Sequence, residues 1–307
     1  MQPTSDGDTL LENRRYMNKV KKLYKKITQD RWEIGFVEGG IAAVMTKDSL
    51  RIHWLQHDYQ DRWFADPFLL KVTDYEIQLL VEEYRYECPK GRIALLTVDR
   101  DTCTLKSLDI VLELETHVSF PALWRNHGKV FVYPESWFSG RLSLYELKGQ
   151  HCEPVLGGVI CEEPMADAIM TDRFGKPMLF SVKENDKLRI YHLDEKTQRF
   201  VLSCEKPFGV ATARNAGDFF EFEGKVYRPA QVCEQRYGEA VEIQQVLWDG
   251  HEDFRFVPHK TLYSNHPQLN TGLHTLNSCK GVAVIDVHGW NKPKVVKTIL
   301  AIKIVMQ

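Results

Sequence analysis

The chain has 307 residues, a formal net charge of −2, 43% hydrophobic residues and 27% charged residues. This composition is typical of a globular protein with a sizeable core, and it lacks the basic excess that indicates nucleic-acid binding. No window of about 18 apolar residues occurs, so the sequence predicts no membrane-spanning helix.

The cysteines indicate a reducing compartment. There are seven, widely spaced and without a CxxC pair, so we predict neither a disulfide framework nor a zinc site. Free thiols are typical of intracellular proteins, and the first residues lack the basic and apolar regions of a secretory signal. We therefore expect a cytoplasmic protein, unless a signal peptide is missing from this sequence.

Residues 8–28 have the spacing of a basic amphipathic helix. Apolar residues recur mostly three, four or seven positions apart among lysines and arginines, and Asp8 is a suitable N-cap. Such a helix can lie on a membrane surface, or it can pack on a domain with its basic face in solvent. We divide the chain into an N-terminal helix, residues 1–30, and a β domain, residues 31–307.

The β domain is predicted from short strands and frequent turns. Residues 32–37 alternate between polar and apolar character and end at Gly39-Gly40. Later runs of β-branched and aromatic residues are separated by turn signals. These signals are Gly128-Lys129, Ser139-Gly140, Gly157-Gly158, Asn185-Asp186, Glu223-Gly224 and Ser278-Cys279-Lys280-Gly281. So long a stretch of short strands indicates a sandwich, a barrel or a propeller.

A weak repeat selects the propeller among these folds. Similar strand starts recur roughly every 45 to 60 residues, which is the size of a four-stranded blade. The five starts are residues 65–68, 119–123, 165–169, 213–220 and 272–277. The sequence therefore predicts an all-β, five-bladed β-propeller.

The first of these starts, Ala65-Asp66-Pro67-Phe68, places an acidic residue at the head of an apolar run. Because proline favours extended geometry in the residue before it, we expect Asp66 to end a turn and begin a strand. A buried, unpaired carboxylate is costly, so its side chain should lie in a polar hollow. The alternative is a turn aspartate that binds its own backbone.

The first strand of each propeller blade lines the central channel, so residues at these strand starts should meet at one mouth. This places Asp66, Asp167, Arg214 and His274 near one another. For the two aspartates we favour a role in an active site over a role in turn structure.

Several motifs together resemble a known module. They are residues 65–68, 119–121, 133–136, 166–168 and 214–217, Tyr227-Arg228-Pro229-Ala230-Gln231 with Tyr237-Gly238, and Gly272-Leu273-His274-Thr275-Leu276-Asn277. From about residue 54 to residue 290 the chain is similar to the N-terminal domain of glucosamine inositolphosphorylceramide transferases and its free-standing bacterial relatives. That module in turn resembles the five-bladed propeller glycoside hydrolases of the arabinanase, xylosidase and invertase-like families.

The resemblance implies carbohydrate chemistry at the channel. In the arabinanase-like pattern a first-blade aspartate is the general base, a third-blade aspartate tunes and orients the acid, and a fifth-blade histidine lies near the axis. Asp66, Asp167 and His274 match these positions. The pattern's fourth-blade glutamate, the general acid, has no counterpart beside Arg214, and Glu135 of the second blade is the best substitute, ahead of Glu239.

The candidate ligand-binding residues have structural alternatives. They are Arg214, Arg228, Gln231, His274, Tyr237 and Trp63. Arginines suit an anionic sugar such as a uronate, a phosphosugar or a sugar nucleotide, although Arg228 and Gln231 can instead link neighbouring blades through backbone carbonyls. His274 is either a core histidine or a residue beside an axial divalent cation or water. We predict no other cofactor.

Three functions compete. A glycosidase or sugar-transferring enzyme needs two carboxyl groups flanking the bond, and the aspartates Asp66 and Asp167 favour it. A non-catalytic propeller that binds a carbohydrate or sugar nucleotide is favoured by the missing fourth-blade glutamate and the absent signal peptide. A protein-interaction propeller would expose apolar patches, for which the sequence has no specific sign. We favour the enzyme.

Overall fold

The computed structural model describes residues 29–184, 187–250 and 253–291, which form five four-stranded antiparallel sheets. The predicted five-bladed propeller is confirmed. The predicted N-terminal helix, residues 8–28, lies outside the described residues.

Each of the first four blades is built from consecutive strands. Blade 1 contains β3 (Arg62–Val72), β4 (Glu76–Arg85), β5 (Cys88–Asp99) and β6 (Leu105–Leu112). Blade 2 contains β7 (Ser119–Asn126), β8 (Lys129–Glu135), β9 (Leu142–Lys148) and β10 (His151–Cys161), with a 3₁₀ turn at Trp137–Ser139. Blade 3 contains β11 (Ala166–Thr171), β12 (Met178–Glu184), β13 (Lys187–Asp194) and β14 (Arg199–Pro207). Blade 4 contains β15 (Phe220–Phe222), β16 (Lys225–Val232), β17 (Ala240–Trp248) and β18 (Phe254–Leu262).

Blade 5 joins the two ends of the described chain. Its strands are β19 (Gly272–Cys279), β20 (Val282–Asn291), β1 (Gln29–Val37) and β2 (Ile52–Trp54), in that order. β1 runs antiparallel to β20 along its whole length. The sequence predicted a strand here but not its place in the last blade. This pairing closes the ring and covers strand edges that would otherwise be open to association.

A short helix, α1 (Gly40–Thr46), lies between β1 and β2 and was not predicted. It buries Ala43, Val44 and Met45 against the apolar core of blades 4 and 5. A side chain on Gly40 would lie 1.9 Å from the carbonyl oxygen of Gly281, so only glycine fits. Among the described residues, no helix is long and apolar enough to cross a bilayer.

The same tight turn joins the first two strands of blades 2, 4 and 5. Both central residues have positive φ, as in the type I′ turn that suits the twist of a hairpin. The pairs are His127 and Gly128, Glu223 and Gly224, and Lys280 and Gly281. The turn predicted at Gly157-Gly158 was wrong, because these residues lie within β10, where the register with β9 shifts.

The hydrophobic core lies between neighbouring blades. Leu79, Val81 and Leu96 of blade 1, for example, pack against Ile34 and Val284 of blade 5. Each blade therefore buries one apolar face against each neighbour, and the inner strands are held in contact around the channel.

A left-handed residue interrupts the inner strand of the first three blades. Asp66, Phe120 and Asp167 have φ values of 53°, 47° and 48°, and the register with the second strand shifts at each of them. Asp66 therefore lies inside β3 rather than at its start, and its backbone is not extended. Both details of our prediction were wrong. Aspartate tolerates this conformation, and partners from other blades hold Asp66 in it.

Candidate active site at the channel mouth

Side chains from blades 1, 2, 3 and 5 and from the segment that leads into blade 4 meet at one end of the channel, which we call the channel mouth. The Asp66 carboxylate lies 3.2 Å from His274 Nε2, and the Asp167 carboxylate lies 2.6 Å from Arg214 Nε. Glu135, at the end of β8, accepts a hydrogen bond from the Asp167 backbone at 3.0 Å. The structure thus brings together the three acidic residues singled out from the sequence, with Arg214 and His274.

His274 lies between two buried carboxylates. Its Nδ1 is 2.8 Å from Asp286 Oδ1, and its Nε2 faces Asp66. Burial by itself lowers the pKa of His274, but the charge and hydrogen bond of Asp286 outweigh burial and raise this pKa to about 9. His274 is therefore a cation at neutral pH.

The two carboxylates beside His274 differ in their affinity for protons. Burial raises the pKa of Asp66 to about 7, and the opposing charge of His274 limits the rise. Burial also acts on Asp286, but His274 and backbone hydrogen bonds hold its pKa below the usual value. Asp66 is thus the carboxylate that can gain or lose a proton near neutral pH.

Asp286 was missed by the sequence analysis. It stands in the apolar run Val284-Ile285-Asp286-Val287 of β20 and is fully buried. Besides His274 it accepts the backbone N–H groups of Thr275 and Asp66, both at 2.9 Å. A carboxylate inside an apolar strand was the only local sign of this role.

A second set of buried residues surrounds Asp167. The same oxygen, Oδ2, accepts hydrogen bonds from Arg214 Nε at 2.6 Å and from Gln231 Nε2 at 3.1 Å. Gln231 is fully buried and also donates to the carbonyl oxygen of Asn215. Gln231 therefore orients Asp167 and is not exposed toward the channel.

Carboxylates link successive blades through the left-handed residues. Each of these residues has its backbone N–H bound by a carboxylate from the preceding blade. The three pairs are Asp286 with Asp66, Asp66 with Phe120, and Glu135 with Asp167, at 2.9 to 3.0 Å. The acidic residues of the channel mouth thus have a structural role in addition to any chemistry.

Two further carboxyl groups, those of Glu135 and Glu82, lie near the channel mouth. Burial raises the pKa of Glu135 to about 8, with a contribution from Asp167 that Arg214 opposes. Glu82 of β4, also missed by the sequence analysis, is 6% exposed and senses the charges of Asp66 and Glu135. Nothing in the local sequence distinguishes Glu82 from its neighbour Glu83.

Tyr237 covers the channel mouth and is 51% exposed. Its ring lies 5.5 Å from the ring of His274 and 5.0 Å from the Arg214 guanidinium. Gly238 has a φ of 59°, and a Cβ on it would lie 2.6 Å from His274 Cβ. The glycine therefore permits the close approach that sets the tyrosine above the site.

Replacement of Gly238 by alanine is expected to destabilise the protein by about 2 kcal/mol or more, because positive φ and a steric clash both oppose the new side chain. Gly224→Ala is the matched control, since Gly224 has a φ of 71° and open space around it. Denaturant unfolding of both variants measures the difference. Equal losses would show that the contact with His274 has no energetic weight.

Trp63 and Arg228 lie away from the solvent-exposed part of the mouth. Trp63 is 7% exposed and stacks on Tyr84, with ring centroids 4.7 Å apart. Arg228 is fully buried between Phe208 and Phe256. Its guanidinium donates to Asn215 and Gln244 side chains and to the carbonyl oxygens of Thr212 and Ala213. These partners lie on β17 and in the segment before β15, so Arg228 fastens parts of blade 4 together rather than linking two blades, and its role in ligand binding stays a prediction.

The predicted axial cation has candidate ligands in Asp66, His274 and Asp286, whose ligand atoms lie within 4.8 Å of one another. Both ring nitrogens of His274 already face these carboxylates. The present arrangement therefore suits an imidazolium better than a metal ion, and the cation stays a prediction.

Among solved structures, the chain is similar to a GH43_1 enzyme from Xanthomonas citri complexed with xylose. The TM-score is 0.50 at 10% identity, over 76% of this chain and 88% of that chain. At this identity the likeness concerns the fold alone.

Two curated relatives are glucosamine inositolphosphorylceramide transferase 1 from Oryza sativa subsp. japonica and from Arabidopsis thaliana. They are 27% and 28% identical to this chain over 214 and 207 residues, which is 65% and 64% of its length. The match spans only 28% and 27% of the relatives' own length. A family model for the N-terminal part of glucosamine inositolphosphorylceramide transferase 1 matches residues 44–281. Because this match covers most of the chain and the whole channel mouth except Asp286, the protein belongs to that N-terminal-domain family.

Proposed function

We propose that this protein acts on carbohydrates at the channel mouth, by acid–base chemistry on a glycosidic bond. The observation that supports the proposal most strongly is the contrast among the buried carboxyl groups. Burial brings the pKa of Asp66 to about 7 and that of Glu135 to about 8, so that near neutral pH the first can accept a proton while the second still holds one. Paired carboxyl groups with divergent proton affinities are what glycoside cleavage requires.

In the proposed reaction Asp66 is the proton acceptor. It takes a proton from water, or from the hydroxyl of an acceptor sugar, as that oxygen bonds to the anomeric carbon. The bond from the anomeric carbon to the leaving oxygen breaks, and a protonated carboxyl group donates a proton to that oxygen. Glu135 is the donor predicted from the sequence. Asp167 is held in place by hydrogen bonds from Arg214 and Gln231.

Arg214 and Tyr237 are the proposed sugar-binding residues of the mouth. The Arg214 side chain is 16% exposed, and the Tyr237 ring lies over it. A tyrosine face can stack on a sugar ring, and the guanidinium can bind a carboxylate or phosphate on the ligand. A sugar or a sugar nucleotide is therefore the proposed partner. A cytoplasmic location stays a proposal that rests on the cysteine pattern.

The second candidate function is carbohydrate binding without catalysis. It is favoured by the inter-blade hydrogen bonds, since Asp66, Glu135 and Asp286 all accept backbone N–H groups of neighbouring blades. It also fits a chain that matches only about a quarter of its relatives' length, because a transferase activity need not lie in this part.

Hydrolysis of a panel of aryl pyranosides and furanosides by the wild type and Asp66→Asn tests the proposal. We expect the substitution to lower kcat by about 100-fold or more, as for other general bases. In the wild type kcat/KM should rise with pH through about 7, where Asp66 loses its proton. The exposed variant Asp101→Asn is the control.

Equal turnover by Asp66→Asn and the wild type would remove Asp66 from the mechanism. If neither protein hydrolyses any sugar, the binding function takes precedence. Calorimetric titration with the same sugars and with sugar nucleotides then tests it, and Tyr237→Ala should abolish the binding heat.

A further inference from the structure

We propose that Glu82, on the second strand of blade 1, is the proton donor of the channel mouth. This inference rests on the proposed function. It assigns the role of general acid, because the fourth-blade glutamate that fills this role in the arabinanase-like pattern has no counterpart beside Arg214. Glu82 pairs in register with Ala65, the residue before Asp66. Of the neighbouring charges, that of Asp66 acts most strongly on the Glu82 carboxyl group, although the two residues are on different strands.

The Glu82 carboxyl group occupies a hollow that glycine creates. A Cβ on Gly91 would lie 2.6 Å from Glu82 Oε1 and 2.8 Å from His117 Cε1. Glu82 is 6% exposed, and its Oε1 has no hydrogen-bond partner among the described residues. A buried carboxylate in this position would be poorly solvated. The neutral acid therefore suits the hollow better.

The adjacent residue, Glu83, has the cationic partners that Glu82 lacks within the described part of the chain. Glu83 is also fully buried, but its oxygens lie 2.9 Å from both Arg62 and Arg92. Glu82 has no arginine or lysine partner among the described residues. Two consecutive glutamates, on opposite faces of β4, thus have opposite environments, and the one without a cation faces blade 2 and the mouth.

His117 faces Glu82 as a neutral ring. Its Nδ1 accepts the backbone N–H of Gly91 at 2.9 Å, so the ring proton is on Nε2, which lies 3.4 Å from Glu82 Oε1. Burial lowers the pKa of His117. His117 therefore lies near the Glu82 carboxyl group, at 3.4 Å, without supplying a positive charge.

The surrounding charges favour the protonated acid as well. Burial raises the pKa of Glu82 well above its usual value, and neighbouring carboxylates raise it further. The groups that act on Glu82 are Asp66, Glu135, Asp286 and Asp30, with His117 as its facing neighbour. Glu82 therefore holds its proton more firmly than an ordinary glutamate does.

Glu135 is the less suitable donor. Its Oε2 accepts the backbone N–H of Asp167, and a hydrogen bond of this kind favours the ionised carboxylate. The charge of Arg214 acts in the same direction, against the burial that raises the pKa of Glu135 to about 8. Glu135 therefore links blades 2 and 3, and Glu82 supplies the acid.

The proposed hydrolysis conserves atoms and protons. Glu82 gives its proton to the leaving oxygen as the bond to the anomeric carbon breaks, and the attacking water gives one proton to Asp66. One water is consumed and one free hydroxyl forms on each product. The proton on Asp66 then returns to Glu82 through solvent water, which restores both groups.

The first test compares Glu82→Gln with Glu135→Gln in the full chain, on alkyl and aryl glycosides of one sugar. We expect Glu82→Gln to lower kcat by about 100-fold or more on the alkyl glycoside. The loss should be much smaller on an aryl glycoside, whose leaving group needs little protonation. In Glu82→Gln the fall in activity at high pH, which we expect for the wild type when the acid loses its proton, should also disappear. A purely structural residue would affect both leaving groups equally.

The second test detects the proton without a substrate. In protein labelled with ¹³C at the glutamate carboxyl carbon, one resonance should remain that of the neutral acid at pH 7 and be absent from Glu82→Gln. Because a neutral amide replaces a neutral acid, this variant should match wild-type stability at about pH 4. At about pH 8 it should be the more stable protein, since only unfolded wild-type chains release the proton.

The outcomes separate the two proposals. Turnover that Glu82→Gln retains, or a neutral resonance that disappears only in Glu135→Gln, overturns the assignment of Glu82 and leaves the proposed function standing. The absence of wild-type turnover on every glycoside overturns both.

Discussion

Replacement of Asp286 by asparagine is expected to lower the free energy of unfolding by about 3–5 kcal/mol, the usual cost of removing one partner of a buried ion pair. Asp286 is fully buried, binds His274 Nδ1 at 2.8 Å and accepts two backbone N–H groups. Asparagine would keep one acceptor oxygen, turn an amide group toward a donor and leave the His274 cation with Asp66 alone. Denaturant unfolding at pH 7 measures the loss.

The pH dependence of this effect has a defined sign. The pKa of folded His274 is raised to about 9, so its stabilising contribution is complete below the unfolded value of about 6.5 and is lost as pH rises through about 9. The difference between wild type and Asp286→Asn should therefore shrink above that pH. The exposed variant Asp101→Asn should stay within about 0.5 kcal/mol of wild type. A difference as small as this for Asp286→Asn would exclude an ion pair with His274.

Replacement of Arg228 by methionine is also expected to cost about 3–5 kcal/mol. The change leaves four buried acceptors without a donor, namely the carbonyl oxygens of Thr212 and Ala213 and the side-chain oxygens of Asn215 and Gln244. Methionine has a similar length and packs well between aromatic rings, so the loss reports mainly the missing hydrogen bonds. Removal of a buried charge offsets part of it.

Arg255→Met is the control in the same blade, because Arg255 is exposed on β18. Thermal and denaturant unfolding of both variants compares the two positions. An unchanged unfolding transition in Arg228→Met, together with loss of sugar binding, would return Arg228 to the ligand-binding residues predicted from the sequence. Loss of stability with sugar binding retained below the unfolding transition would assign it to the structure of blade 4.

The architecture could be predicted because its signals are local and repeated. Strand starts recur at the spacing of a blade, and glycines mark the turns that need positive φ, such as Gly128, Gly224 and Gly281. The aspartates Asp66 and Asp167 could be found because they stand at equivalent places in this repeat. The family resemblance drew on the same motifs and was confirmed by the match over residues 44–281.

The sequence by itself thus determined the class of fold and the number of blades, since strand periodicity and turn chemistry depend on near neighbours. Only the tertiary structure decided the conformation of Asp66, whose N–H binds Asp286 from 220 positions along the chain. It also distinguished Glu82 from Glu83, because a carboxyl group gains or keeps its proton according to the charges and solvent around it. Those surroundings are assembled from separate blades and leave no trace in the residues beside it.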